Sequence, residues 1–320
     1  MNLIYLAKPI YGGWVTFTSH LSLKYKYPIY KISKITEKKY RDYGYGCSYK
    51  NLNIDDALQL ENIVITALDK SYWKYIHLFP VDTLLVIHDP TELKLSKKNP
   101  NPLIQNEFIL KKLKILTIRQ TVQEYISNTY DIYSEFKLHP FYEYSTKDSQ
   151  SMNNYAVSIS RIDFDKNTDI ILKANELIKD TTKRIKIFGA ENRIYVHHKL
   201  KKYNFNEYWY GKYKKNLPMI YNNQDILKGC TYMVDLSTIN NDGGGTQYTF
   251  LEAIYNGCIL VLHKSWVEKG TLFKDKNNCY VVSDEYDLCK LMEQPINILE
   301  IMEIKNNATE LLNAHTKVKW

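Results

Sequence analysis

The chain has 320 residues, 44% of them hydrophobic and 24% charged, and a formal charge of +8. This balance excludes a disordered or fibrous protein and leaves room for two domains of ordinary size. No apolar run reaches the roughly 20 residues that span a bilayer, and the opening MNLIYLAKPIYGGW has neither the basic stretch nor the cleavage site of a signal peptide, so a soluble, cytoplasmic protein is expected.

The first element is the short apolar strand NLIYLA, followed by KPIYGGW and a helix. Further strands are expected at NIVITAL (62–68) and DTLLVIHD (82–89), with LKILTI (113–118) and a segment near Phe136 to Leu138 after them. Near-continuous apolar runs separated by helical stretches are what a parallel sheet covered on both faces requires. Between Tyr142 and Asn154 the polar, turn-forming YEYSTKDSQSMNN reads as a linker. The alternation then restarts with strand YAVSIS (155–160), a helix near 168–179, strand RIKIFG (184–189), a helix near 193–202 and strand NEYWYG (206–211). Helix NQDILKGC and strand TYMVDLS (231–237) follow, then NDGGG, a helix over 246–256, the strands CILVLH (258–263) and CYVV, and a terminal helix. The expected architecture is α/β, with two Rossmann-like, doubly wound domains over 1–150 and 151–320 facing across a cleft. The last helix is one able to pack back on the first domain.

Five cysteines, Cys47, Cys230, Cys258, Cys279 and Cys289, are odd in number, form no CxxC and sit in or beside apolar segments. Structural thiols are expected rather than disulfides or a zinc site. Charge is unevenly spread: Lys24 to Arg41 carries seven basic residues (Lys24, Lys26, Lys31, Lys34, Lys38, Lys39, Arg41) against Glu37 alone, with Tyr25, Tyr27, Tyr30 and Tyr40 between them. Such a segment suits a phosphate backbone with exposed bases. It equally describes a solvated surface in a chain rich in Lys and Tyr.

Loops at strand ends carry the candidate chemistry. Gly12 and Gly13, before Trp14, let a backbone and a helix N-terminus approach an anion, and a tight turn accounts for them equally well. His88 ends a strand; a structural role is the commoner one there, and donation to a sugar hydroxyl is the functional one. In SRIDFDKNTDIILKA (160–174), Arg161 and Lys166 are spaced to clamp a diphosphate, one through its planar fork and the other as a point charge. The competing reading makes Asp163 and Asp165 a carboxylate pair for a divalent metal. Three consecutive glycines, Gly243 to Gly245, precede an apolar helix with the single carboxylate Glu252. That carboxylate is suited to accept two ribose hydroxyls, or is an ordinary first-turn acid at a helix N-terminus.

In order, SRIDFDKN, IKIFGAE, YWYGKYK, YMVDLST and GGGTQYTFLEAIYNGCILVLH resemble the C-terminal half of retaining GT-B glycosyltransferases, and PIYGGW and VIHD are similar to their N-terminal loops. The resemblance implies that Arg161 and Lys166 hold the donor's diphosphate and that Glu252 binds its ribose. It implies that Gly243, Gly244 and Gly245 present backbone amides to the transferred sugar and phosphate, that Gly189 and Thr246 belong to the donor site, that Gly12 and Gly13 close over the diphosphate, and that His88 touches the sugar. The base falls near Gly211 and Lys212. One position departs: the first glutamate of the family pair, eight residues before Glu252, is Gly244 here, and Asp242 is the nearby carboxylate. The resemblance further implies front-face transfer with retention, a UDP-sugar donor, no tightly bound cofactor and no essential metal.

YLAKPIYGGW, YRDYGYG and the overall size resemble the bacteriophage enzymes that add sugars to hydroxymethylated DNA bases. That implies double-stranded DNA as partner, a flipped base stacked by Trp14, Tyr43 or Tyr45, and a phosphate footprint on Lys24, Lys26, Lys38, Lys39 and Arg41, all in a host cytoplasm. Two alternatives stand beside it: a transferase acting on a surface glycan or glycolipid, and a catalytically silent nucleotide-sugar or nucleic-acid binding protein.

Overall fold

The structure is a computed structural model and describes residues 1–7, 12–32, 47–69, 72–89, 111–144, 154–211, 219–239, 246–268 and 271–320. These form two compact units. The first takes Met1–Tyr144 and Ala314–Trp320; the second lies within Ser145–Asn240 and Thr246–Asn313.

Among the described residues the first unit is built on seven parallel strands, β1 (Asn2–Leu6), β2 (Ile29–Ile32), β3 (Tyr49–Leu52), β4 (Ile63–Leu68), β5 (Leu84–Ile87), β6 (Lys114–Thr117) and β7 (Ser134–Phe136). Their order is β3-β2-β1-β4-β5-β6-β7. All six residues of β4 are buried, because both faces of a central parallel strand are covered. The strand order reverses between β1 and β4, and in such sheets the carboxyl ends beside a reversal are where ligands bind. The helix Gly13–Tyr25, which follows β1, is enclosed on every side from Val15 to Leu21. Its buried hydroxyls turn back on their own backbone, Thr16 Oγ1 donating to Gly12 O at 3.1 Å and Thr18 Oγ1 to Trp14 O at 2.8 Å. Phe17 packs edge-on against Trp320, 5.1 Å between ring centres.

The second unit holds five parallel strands, β8 (Ala156–Ile159), β9 (Ile185–Phe188), β10 (Tyr232–Asp235), β11 (Ile259–His263) and β12 (Tyr280–Val282), ordered β12-β11-β10-β8-β9. Its reversal falls between β8 and β10. Ile171, Leu172, Ile187, Val234 and Leu288 lie in one continuous core around this sheet. Both units are therefore doubly wound α/β sheets. All five cysteines are free, and all but Cys289 are buried. Among the described residues no helix is long and apolar enough to cross a membrane.

Five segments depart from the sequence expectations. Strands β2 and β3 were hidden in Tyr- and Lys-rich stretches, IYKI and YKNL. NEYWYG is extended only at its end, where Trp209 bridges Ile187 of β9: Phe205–Tyr208 makes one helical turn, and Phe205 stacks on Trp209 just after it, with ring centres 5.5 Å apart. Helical spacing of two aromatics outweighs their strand propensity there. The strand expected near Phe136 to Leu138 ends at Phe136. The terminal helix is two helices, Glu285–Glu293 and Ile298–Lys317.

Candidate functional site

The loop after β8 is pinned at several points before it delivers its cations. Ile162 N donates to Ala190 O at 2.9 Å, Asn167 Nδ2 to Leu236 O at 2.8 Å, and Thr238 N to Asp165 O at 3.2 Å, so the ends of β8 and β10 are tied together across the reversal. Asn167 spends its side chain on Leu236, and the helix Thr168–Leu177 behind it begins without a side-chain cap. Arg161 is 66% exposed and pairs with Asp163 at 3.1 Å and Asp165 at 3.6 Å. Lys166, only 12% exposed, pairs with Asp165 at 3.7 Å. Burial pushes the Asp163 carboxyl up, but the Phe164 N–H, the Asn192 amide, Arg161 and Lys166 together hold it below its ordinary value. The two aspartates thus serve as counter-ions to the two cations. Among the described residues no three His, Cys, Asp or Glu side chains converge as a metal-binding group.

Glu252 is the fifth residue of the helix Tyr248–Tyr255 and is 1% exposed. It is not a first-turn acid at a helix N-terminus. Asn223, on the helix Met219–Leu227, donates its Nδ2 to Glu252 Oε2. Oε1 has no hydrogen-bond partner among the described residues. Burial pushes this carboxyl up to about 8 against the smaller opposing effect of the Asn223 amide. Thr246, two residues before that helix, is half-buried. Its N-cap, Gln247, supplies no side-chain cap.

Gly189 and Gly211 hold each other. Gly189 N donates to Gly211 O at 3.2 Å, and Gly189 O accepts from Trp209 Nε1 at 3.1 Å. Gly189, expected to line the donor, has both backbone groups engaged inside the protein, which corrects that expectation. Its absent side chain serves packing: a Cβ there would lie 1.7 Å from Ser160 O, at a φ of +152°. Gly189→Ala is expected to destabilise the second unit by at least about 2 kcal/mol, read as a lower urea midpoint.

In the first unit, Gly12 (φ +96°) precedes the helix Gly13–Tyr25, and a Cβ on Gly12 or Gly13 meets no described atom within 4 Å. The helix N-terminus beside the β1/β4 reversal is thus open on that side among described residues. Trp14 stands edge-on to His88, with ring centres 6.4 Å apart. His88 is 7% exposed, and its Nε2 lies 2.8 Å from Thr66 O. A carbonyl only accepts, so Nε2 carries the proton. Burial lowers the His88 pKa to about 4, which leaves Nδ1 unprotonated at neutral pH. The ring's one N–H is therefore engaged by Thr66 O, which corrects the expected donation from His88 to a sugar hydroxyl.

Lys24 is withdrawn from the acceptor-binding set. Its ammonium donates to His315 O (3.4 Å), Thr316 O (2.6 Å) and Val318 O (3.1 Å), at the end of the helix Ile298–Lys317. An ammonium has three donors, and carbonyls left over at a helix C-terminus take them well. Tyr25 Oη also donates to Val318 O, at 2.6 Å, while Lys31 on β2 is 7% exposed. Lys26 is exposed. Lys38, Lys39, Arg41, Tyr43, Tyr45, Lys212, Asp242, Gly243, Gly244 and Gly245 lie outside the described residues.

Sequence reasoning missed two buried groups. Asn223 was read only as part of a helix, and its partner stands 29 positions away. Asp235 ends β10; its Oδ1 accepts from Ser237 N at 2.8 Å and from Ser237 Oγ, and its Oδ2 has no partner among the described residues. A lone Asp closing an apolar strand was the available signal. A concavity of about 730 Å³ beside Arg193–Leu200, lined by Arg193, His197 and Lys201, contains none of the residues singled out from sequence.

No protein-family model matches the chain, and no curated protein matches it. Solved structures do. Anabaena Alr3699/HepE in complex with UDP matches over 99% of this chain and 96% of its own, with a TM-score of 0.67 at 12% identity. An alpha-glucosyltransferase in complex with UDP-glucose and DNA containing an abasic site matches over 98% of this chain and 95% of its own, with a TM-score of 0.67 at 15% identity. The fold is GT-B. A shorter GT-B match is the pneumococcal O-GlcNAc transferase GtfA in complex with UDP and GlcNAc, which covers 79% of this chain and 53% of its own, with a TM-score of 0.52 at 11% identity.

Proposed function

We propose that the protein is a retaining glycosyltransferase that moves a sugar from a UDP-sugar to a hydroxyl group, with hydroxymethylated bases of double-stranded DNA as the acceptor. The observation that carries the transferase reading is Glu252, a buried carboxylate with one bare oxygen on the helix that follows β10. Together with Arg161 and Lys166 after β8, it brackets the strand reversal of the second sheet. The bare oxygen suits a ribose hydroxyl and the two cations suit a diphosphate.

In the proposed reaction the bond between the anomeric carbon and the diphosphate oxygen breaks while the acceptor oxygen bonds to that carbon on the same face. The acceptor's proton passes to the leaving diphosphate, whose charge Arg161 and Lys166 offset. Before the donor arrives these cations are satisfied by Asp163 and Asp165. Such pairs are weak, so a diphosphate displaces them at small cost. Asp165→Ala, which keeps the carbonyl that Thr238 N uses, is expected to tighten UDP binding about two- to fivefold at low salt. The gain should shrink at high salt, as titration at two ionic strengths would show.

DNA as acceptor is supported by the near full-length likeness to the alpha-glucosyltransferase in complex with UDP-glucose and DNA and by the formal charge of +8. The engagement of Lys24 inside the fold favours the second reading, a glycan or glycolipid acceptor. Incubation with hydroxymethylcytosine-containing duplex DNA and a panel of UDP-sugars, followed by nucleoside mass spectrometry, decides between them. A mass gain of one sugar is expected. UDP release without DNA modification would move the acceptor to the glycan class, and neither release nor modification would contradict the transferase.

A further inference from the structure

The helices Met219–Leu227 and Tyr248–Tyr255 pack together and bring two polar side chains into the interior, Asn223 at 2% and Glu252 at 1% exposure. Their contact uses one oxygen of the carboxyl and one donor of the amide. Among the described residues Glu252 Oε1 and Asn223 Oδ1 have no partner. A buried polar oxygen without a hydrogen-bond partner is costly, and natural interiors rarely leave one unless something else completes it. An amide is also an informative choice of partner. Arginine or lysine would neutralise the carboxylate and compete for both oxygens, whereas one amide N–H holds a single oxygen and leaves the other aimed and empty.

We propose that Asn223 is a positioning residue for the donor nucleotide: by holding Oε2 it aims Oε1 of Glu252 at a ribose hydroxyl, and so makes the site select a ribonucleotide over its deoxy counterpart. The inference rests on the reading of Glu252 as the ribose acceptor. It explains why the carboxyl stays buried with no cation against it among the described residues: the donor's hydroxyl supplies the missing hydrogen bond, and a nucleotide lacking that hydroxyl leaves Oε1 desolvated and bare. A site built to receive a hydroxyl rejects the analogue without it far more strongly than an apolar site would.

Calorimetric titration of the full chain with UDP, 2′-deoxy-UDP and 3′-deoxy-UDP tests this, using wild type, Asn223→Leu, Glu252→Gln and the double variant. Wild type is expected to prefer UDP over at least one deoxy analogue by roughly 10- to 100-fold. Asn223→Leu should weaken UDP by about tenfold or more while that analogue changes little, so the preference collapses. In the Glu252→Gln background, Asn223→Leu should add no more than about twofold, because the amide acts through the carboxylate. If Asn223→Leu does not fold, Asn223→Ser carries the same comparison. A variant that keeps the wild-type preference, or that loses UDP and deoxy-UDP in parallel, overturns the role of Asn223 and leaves the donor reading intact. Failure of the wild type to bind UDP overturns both.

Discussion

Lys166→Ala is expected to lower kcat/KM for sugar transfer by roughly 10²- to 10³-fold, the usual cost of removing one preorganised charge from a leaving group. Arg161→Ala should cost roughly tenfold or less. The difference follows from solvent. The Arg161 side chain is 66% exposed and its charge screened, whereas the Lys166 side chain is 12% exposed and held by a loop tied to Leu236 and Thr238. A cation out of water acts on a nearby charge through a lower effective dielectric, so its removal is felt more. Stability should change by less than about 1 kcal/mol in both variants, because the pairs lost are partly exposed. Initial rates of UDP release at varied donor concentration measure the effect. Equal rates for Lys166→Ala and wild type would remove the loop after β8 from the chemistry.

Acid should unfold the first unit. His20, His88, His139 and His315 are all buried there, at 0%, 7%, 7% and 1% exposure. His20 stacks on Phe141 and its Nδ1 accepts from Tyr142 N; His315 Nδ1 faces His139 O at 2.8 Å; His88 and His139 both pack edge-on to Phe17. Burial lowers all of them from 6.5, His20 to about 3, His88 and His315 to about 4, and His139 well below the usual range. Nearby Lys24 lowers His20 and His315 further, Arg119 lowers His88 and His139, and Asp89 opposes this at His88.

The unfolded chain therefore takes up protons as pH falls below 6.5, while the folded unit excludes them until about pH 4 or lower. The stabilisation is complete above the unfolded value and is lost on the way down. With four such groups the loss reaches up to about 5 kcal/mol per pH unit. Set against a total stability of roughly 5–15 kcal/mol, that places unfolding of this unit near pH 5. Urea midpoints followed by tryptophan fluorescence from pH 7.5 to 4.5 should fall steeply below pH 6.5, since Trp320 packs on Phe17 beside these rings. A flat midpoint down to pH 5 would contradict the account.

Sequence reading succeeded where physics is local. Runs such as NIVITAL and CILVLH are legible because a strand buried on both faces must be apolar throughout. It failed at β2 and β3, whose Tyr and Lys side chains carry no such pattern, and at NEYWYG, where the alternation imitated a strand while the Phe205 and Trp209 spacing is helical. In the candidate site, Arg161, Lys166 and Glu252 were visible as charges at the ends of apolar elements. Lys24 was misread because the carbonyls it serves lie some 290 positions away. Asn223 was passed over for the same reason, since nothing near it in the chain announces a buried carboxylate.

The central claim is that the second unit holds a nucleotide-sugar on Arg161, Lys166 and Glu252, and a crystal structure of the protein with UDP tests it most directly. The account predicts the diphosphate within hydrogen-bonding distance of the Arg161 guanidinium and the Lys166 ammonium, released from Asp163 and Asp165, with a ribose hydroxyl on Glu252 Oε1. UDP bound elsewhere, or bound with Oε1 still bare, would contradict it.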